Sequence, residues 1–329
     1  MALAAFRALE PLCWRAPSAH NTQPWRLDHG AGAVRVGWEQ AYALPAADPS
    51  GRDLRLSLGA FVETCLVVAA DAGLSMRFVA DHCAEERRVG WLRASPHRYD
   101  TPFDAAQVLT RRTHRGRYSA GPDAEVLAAV DAVARAAGGA VRTVPDARLL
   151  ARLLRVADRW TYADPAVVGE LRSWLRLTPA HPAYRADGLT DRCLGLSGGE
   201  ALALRAALAA YPALRRLGLP RLLAAAGGDP LARGGAVIVL VAPPGADDAT
   251  QVEFGRVLAR VWLTLHTAGL AAHPLSQLID APATRDALGS LLGVAPGRLL
   301  HVARVGRPGG PAARSARRVG GDPAGTSAS

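Results

Sequence analysis

The chain has 329 residues and a mass of 34.5 kDa, the length at which one hydrophobic core stops growing and two structural units become the expectation. Half of its residues are hydrophobic and 21% are charged, which excludes a disordered chain. Its longest apolar runs, such as Ala236 to Pro244, fall far short of the roughly 20 residues that cross a bilayer. The net charge of +10 is local. Arg111, Arg112, Arg115 and Arg117 form one cluster, and Arg298, Arg304, Arg307, Arg314, Arg317 and Arg318 a second, with no acid inside either stretch. The remaining arginines and acids balance at 29 each, and there is no lysine. Two such clusters suit one small anion better than a nucleic-acid track.

Met1 to Leu9 is broken by Arg7 before it reaches the length of a secretory core, so the chain reads as cytoplasmic. The four cysteines, Cys13, Cys65, Cys83 and Cys193, are scattered, with no CxxC spacing and no histidine at metal-ligand distance, and read as buried thiols. A helix kinked or started by Pro11 ends near Trp14 and gives way to Ala16 to Trp25, APSAHNTQPW. Between its two prolines, Ser18, His20, Asn21, Thr22 and Gln23 offer fixed donors and acceptors for a polar heterocycle or a hydroxyl chain. An ordinary capping turn would use the same residue types.

A strand is expected over Ala33 to Glu39, then an apolar helical segment, Gly59 to Val79, then a strand at Val89 to Arg93. The same order recurs with a strand at Ala236 to Ala242, the segment Gly255 to Leu275, and a strand at Leu299 to Val305. Gly59 and Gly73 stand 196 residues before Gly255 and Gly269, so each copy reads as a helix bracketed by glycines. Between the copies lies Arg111 to Tyr118, RRTHRGRY. Its four guanidiniums repel one another unless an anion such as a phosphate sits among them, or unless they form a solvated face. Helices at Leu127 to Ala137 and Ala147 to Tyr162 flank a strand at Ala140 to Val144, and a helix-rich block, Trp174 to Ala232, reads as an inserted lid. The last ten or so residues of the Gly, Pro, Ser and Arg rich tail are expected to be disordered.

Two of these segments carry a resemblance. APSAHNTQPW resembles the P-S-x-x-N-x-Q-P-W signature of nitroreductase-like FMN flavoproteins, and RRTHRGRY their arginine-rich phosphate signature. Their order along the chain, together with DRWTYADPAVVGELRSW (158–174) and AGLAAHPLSQ (268–277), is similar to the Acg-like twin-domain branch. The resemblance implies an α+β nitroreductase-like fold in which two degenerate repeats, 1–105 and 106–329, fuse into a single-chain pseudo-dimer, the second half carrying the insertion (about 174–232) and a flexible basic tail. It implies an FMN site in which Arg111, Arg112, Thr113 and Arg115 hold the phosphate and ribityl chain. Ser18, His20, Asn21 and Gln23 approach from the other half, and Pro274, Leu275 and Ser276 run along the ring. Arg314 or Arg317 closes on the phosphate, with Arg318 as a competitor.

The implied activity is oxidoreduction of the nitroreductase type, with NAD(P)H as co-substrate and a ping-pong exchange with an electron-poor acceptor such as a nitroaromatic or quinone. A lid-covered protein that sequesters FMN, or a flavin-dependent dehydrogenase of a biosynthetic pathway, would carry the same motifs. Partners are then small molecules, without nucleic acid or membrane, and the chain is a monomer or weak homodimer. A rival motif, Gly195 to Gly199 (GLSGG), fits a nucleophile elbow in letters only, since Thr190 to Leu194 before it makes no convincing strand.

Overall fold

The computed structural model describes residues 2–318. In chain order its strands are β1 (Trp25–His29), β2 (Val34–Trp38), β3 (Met76–Cys83), β4 (Arg88–Ala94), β5 (Tyr118–Ala120), β6 (Ala140–Val144), β7 (Leu175–Arg176), β8 (Leu189–Thr190), β9 (Ala236–Val241), β10 (Ala271–Pro274) and β11 (Leu299–Pro308). Two helices of 20 residues, Arg52–Asp71 and Asp248–Thr267, lie at its centre. Their first residues and their last residues are both 196 positions apart, the spacing of the repeated glycines.

The sheets repeat as the helices do. The first runs β1-β2-β4-β3 and the second β6-β9-β11-β10, all neighbours antiparallel, with β5 added beside the end of β11. Each sheet buries one face against its own central helix. Phe61, Val62, Cys65 and Leu66 meet Trp25, Val34, Val36 and Leu92 in one core, and Phe254, Val257, Leu258 and Trp262 meet Ile238, Leu240, Leu300 and Val305 in the other. Each half therefore holds a four-stranded sheet, where the sequence showed two strands of the first (β2 and β4) and three of the second (β6, β9 and β11), and read the starts of β3 and β10 as the ends of the helical segments. The strands it missed are short, at an edge, or carry Pro274 at their end.

The two helices cross at Gly59 and Gly255. A Cβ on Gly59 would overlap the carbonyl oxygen of Val252 and stand 2.8 Å from the Cα of Gly255, and a Cβ on Gly255 would overlap the carbonyl of Leu56 and stand 2.8 Å from the Cα of Gly59. Equivalent residues meet each other, as at a two-fold interface, and Arg55 Nε donates to Oε1 of its equivalent, Gln251, at 2.9 Å. The bracketing expected of these glycines is thus half right. Gly73 and Gly269 follow the helix ends with positive φ, whereas Gly59 and Gly255 lie inside the helices because only hydrogen fits between the backbones.

The insertion between β6 and β9 opens with helices Ala147–Ala163 and Pro165–Trp174, so its cavity-facing part begins before Trp174. It continues through the parallel pair β7 and β8 and helices Gly198–Leu214 and Leu219–Ala226 around a core of its own that includes Val168, Leu208, Tyr211 and Leu223. Ser197 accepts from the backbone N–H of Glu200 as the N-cap of Gly198–Leu214, and a helix, Asp191–Leu194, precedes it, so GLSGG is a helix start. Residues 311–318 fold back on the first half, and the last ten or so residues, expected to be disordered, lie outside the described residues.

The helix crossing makes a quantitative expectation. Gly255→Ala should destabilise the protein by about 1 to 3 kcal/mol, because overpacking outweighs the gain in helix propensity. Gly169→Ala, inside helix Pro165–Trp174 with nothing near the added methyl, should stabilise by up to about 1 kcal/mol. Urea unfolding of both variants checks the pair.

Candidate functional site

The loop Ala16–Trp25 is strained at three of four successive positions. His20, Asn21 and Gln23 have φ of 45°, 58° and 53°, in the left-handed region that side chains avoid. Hydrogen bonds hold them there. Ser18 Oγ accepts from the N–H of Gln23 at 2.9 Å, and Ser57 of the first central helix accepts from the N–H of Ala19 at 3.2 Å. Asn21 Nδ2 donates to the carbonyls of Gly188 and Ala316, both at 3.1 Å, and its Oδ1 accepts from Arg317 at 2.7 Å. Gln23 Nε2 donates to Ala186 O at 3.0 Å, and its Oε1 accepts from the N–H of Arg318 at 2.9 Å. One loop thus gathers the insertion and the chain end.

This loop forms one wall of a cavity of about 350 Å³. Arg111 to Thr113 and Arg115 form a second wall, Pro274, Ser276, Gln277 and Asp280 a third, and Trp262 of the second central helix also lines it. Asp158 to Leu171, with Leu189 and Cys193, cover it from the insertion, and Ala313, Ser315 and Arg317 reach it from the tail. Of the residues expected from sequence, Ser18, His20, Asn21, Arg111, Arg112, Thr113, Arg115, Pro274, Ser276 and Arg317 meet here.

Three do not. Gln23 is fully buried behind the loop with both polar ends engaged by the chain, so it shapes the wall without facing the cavity. Leu275 points into the core beneath β11 while its N–H donates to Val302 O at 2.8 Å. Arg314 is not at the wall; Arg317 is, but its guanidinium donates to the carbonyls of Trp14, Arg15 and Ala16, so it fastens the tail to the loop. The competitor Arg318 stacks 3.5 Å from the Tyr42 ring centre. Arg304 of the second cluster is fully buried and donates to the carbonyls of Gly116, Arg115 and Pro230, tying RRTHRGRY to the end of the insertion. The two clusters therefore converge only through Arg111, Arg112, Arg115 and Arg317. Arg15, isolated in sequence, joins them.

No carboxylate pairs with any of these five guanidiniums among the described residues. Burial, then Arg314 and Arg112, lowers Arg15 to about 10; burial, then Arg15, lowers Arg111 to about 10; burial also lowers Arg115 and Arg317. Arg111 stands 5.0 Å from the Trp262 ring centre, and Arg115 donates to Cys193 O at 2.9 Å. Arg15 Nε, His20 Nδ1 and Trp262 Nε1 are buried without a hydrogen-bond partner. A pocket of cations and unmet donors of this kind is stabilised by an anion with several acceptor oxygens.

The cavity wall also carries acids, Asp48, Asp53, Asp158 and Asp280. Arg52 bridges Asp53 at 2.8 Å and Asp280 at 2.6 Å, and burial together with the Asp53 charge pushes Asp48 to about 6 and Asp280 to about 7. Burial also raises Asp158, which accepts from Gln277 at 3.4 Å, to about 6. His20 and His273 are held neutral by burial, whereas His114 bonds to Arg117 O away from the cavity. Asp158 and Trp262 were missed as site residues because each sits in a helix whose sequence reads as ordinary packing.

No family model matches the chain. Rv3131 of Mycobacterium tuberculosis strain H37Rv, provisionally named an NAD(P)H nitroreductase, is 27% identical over 309 residues, covering 91% of this chain and 84% of that protein. Over nearly its whole length the chain is similar to this provisionally named nitroreductase. The protein named acg from the same strain, also provisionally an NAD(P)H nitroreductase, is 31% identical over 122 residues, 35% of this chain and 36% of its own length. The FMN-dependent nitroreductase NfnB of Mycobacterium smegmatis, solved with NADPH, overlaps loosely at 20% identity and a TM-score of 0.33, over 62% of this chain and 86% of its own. In this chain the equivalent halves lie in one polypeptide, and the cavity lies between segments of both.

The raised Asp158 carries a pH dependence. The native state holds this proton more tightly than the unfolded chain does, so between about pH 4 and pH 6 stability falls as pH rises. Full burial would make the cost about 3 kcal/mol, and water in the cavity screens it to on the order of 1 to 2 kcal/mol. Asp158→Asn should match the parent near pH 4 and exceed it by that amount near pH 7 in urea unfolding. Equal stability at both values would refute the assignment.

Proposed function

We propose that the cavity binds one FMN per chain and that the protein is an FMN-dependent NAD(P)H oxidoreductase. The observation that carries this reading is the set of buried guanidiniums without carboxylate partners in the wall of the cavity. Arg111 and Arg115 would pair with the phosphate, with Arg112 and Thr113 beside them and Arg15 adding charge. Ser18, His20 and Asn21 would face the cofactor from the first half, and Pro274 to Ser276 would lie along its ring. Bound FMN supplies two-electron hydride exchange.

The chain's own residues then position and insulate. Trp262 and Leu171 give apolar surface, and the insertion keeps water from the cavity through Leu189 and Cys193. Asp158 is the one wall carboxylate that, outside the Arg52 cluster, holds a proton to about pH 6, and it can deliver that proton to a reduced acceptor. The chain has no glycine fingerprint for a separate dinucleotide domain, which favours NAD(P)H and an electron-poor acceptor, a nitroaromatic or quinone, using one place in turn.

A second reading has its own observation. The insertion is fastened over the cavity by Gly188 to Asn21, Ala186 to Gln23 and Cys193 to Arg115, and Glu170 accepts from the N–H groups of Ala46 and Ala47 at 2.9 and 3.0 Å. If these bonds keep it closed, the protein sequesters FMN. Anaerobic stopped-flow mixing with NADPH separates the two, since turnover bleaches the flavin absorbance and sequestration leaves it unchanged on the same timescale.

Release and counting should find about one FMN per chain. Arg111→Ala and Arg115→Ala should each weaken FMN binding by roughly 30-fold to several thousand-fold, about 2 to 5 kcal/mol, because a desolvated phosphate loses its charge partner. Fluorescence titration measures this. Wild-type affinity in both variants would make RRTHRGRY a solvated face.

A further inference from the structure

The far end of the insertion has chemistry that the cavity does not use. Helices Gly198–Leu214 and Leu219–Ala226 turn Ala201, Leu208, Tyr211, Leu219 and Leu223 into the insertion's own core. Their outer side is apolar as well: Leu202, Leu214, Leu217 and Leu222 are 61%, 40%, 80% and 66% exposed, and Leu217 is the most exposed large hydrophobic residue among those described. An isolated exposed leucine is ordinary, but four lie within Leu202 to Leu222, with Leu214 closing the first helix, Leu217 in the turn and Leu222 in the opening of the second helix, and these three make a concentrated apolar tip.

The charge of this tip is one-sided. Between Glu200 and Asp229 the chain has no acidic residue and four arginines, Arg205, Arg215, Arg216 and Arg221, all exposed. Arg215 and Arg216 directly precede Leu217, and Arg221 directly precedes Leu222. Leucines leave water only for an apolar phase, and guanidiniums at the same level want phosphate or carboxylate.

We propose that this tip docks the protein on the surface of an anionic lipid bilayer, with Leu217 and Leu222 in the headgroup and acyl boundary and Arg215, Arg216 and Arg221 among the lipid phosphates. The pattern of Leu beside Arg fits a surface that is apolar below and anionic above. A second copy of the chain fits poorly, because a two-fold contact would set the three arginines against their own equivalents. Nucleic acid would match the arginines and leave the leucines in water. Docking of this kind needs no spanning segment, and no described helix is long and apolar enough to be one. The sequence had suggested no membrane partner because each apolar run there is short. The exposure of the leucines emerges only once the helices are packed.

Co-sedimentation of the full-length protein with vesicles of phosphatidylcholine alone, and of phosphatidylcholine mixed with phosphatidylglycerol, tests the proposal. Binding should occur on the mixed vesicles, weaken with salt, and be near absent on phosphatidylcholine. Arg216→Gln should weaken it roughly fivefold, and L217S/L222S at least tenfold, with unchanged unfolding midpoints and FMN content. No binding to either vesicle, equal binding to both, or undiminished binding by L217S/L222S overturns the proposal. So does duplex DNA binding without vesicle binding, or a dimeric mass that L217S/L222S returns to monomer. The pellet assay reads no flavin chemistry, so its failure leaves the oxidoreductase reading in place.

Discussion

Everything in this fold is referred to the contact between Gly59 and Gly255, where two helix backbones approach so closely that a methyl group on either would strike a carbonyl of the other. Close approach turns two half-cores into one body. It also sets the halves face to face, so that the loop after the N-terminal helices of one meets the arginine run and the β10 to Ser276 segment of the other. In a homodimer this geometry would occur twice. Here the halves have diverged: the insertion lies in one half only, and the loop with three left-handed residues in the other.

The site concentrates costs that the rest of the molecule has to offset. Each left-handed residue costs on the order of 1 kcal/mol or more, and buried guanidiniums without acids cost more still. Central helices with almost wholly buried faces and a β11 buried over its first eight residues supply the stability that permits this. An extended anionic ligand of the kind proposed would meet the arginines and the loop at the same time.

The insertion and the tail are fastened differently from the cores. Helix Ala147–Ala163 packs Leu150, Leu153 and Leu154 into a core of the second half, but around the cavity the later insertion and the tail are tied by hydrogen bonds from Asn21, Gln23, Arg115 and Arg317 to backbone carbonyls. Such contacts contribute about 1 kcal/mol each and can exchange with water, whereas the later insertion, Val168 to Leu223, has an apolar core of its own. A seam of this kind is where opening would occur.

The sequence by itself determined the two-fold repeat, one strand before and one after each central helix, and the two polar segments that meet at the cavity. These are local patterns: glycine spacing, β-branched runs, prolines bracketing a polar loop, and arginines too dense to lack an anion. The tertiary structure alone decided that Gly59 and Gly255 face each other, that Gln23 is a clasp and not a cavity wall, that Arg304 is structural while Arg15 joins the cavity, and that Asp158 and Trp262 line it. The reason is physical. Residue type and spacing report what a side chain can do, but which of several equivalent arginines or amides faces a cavity depends on partners some 70 to 300 positions away, brought near only by the packing of the halves.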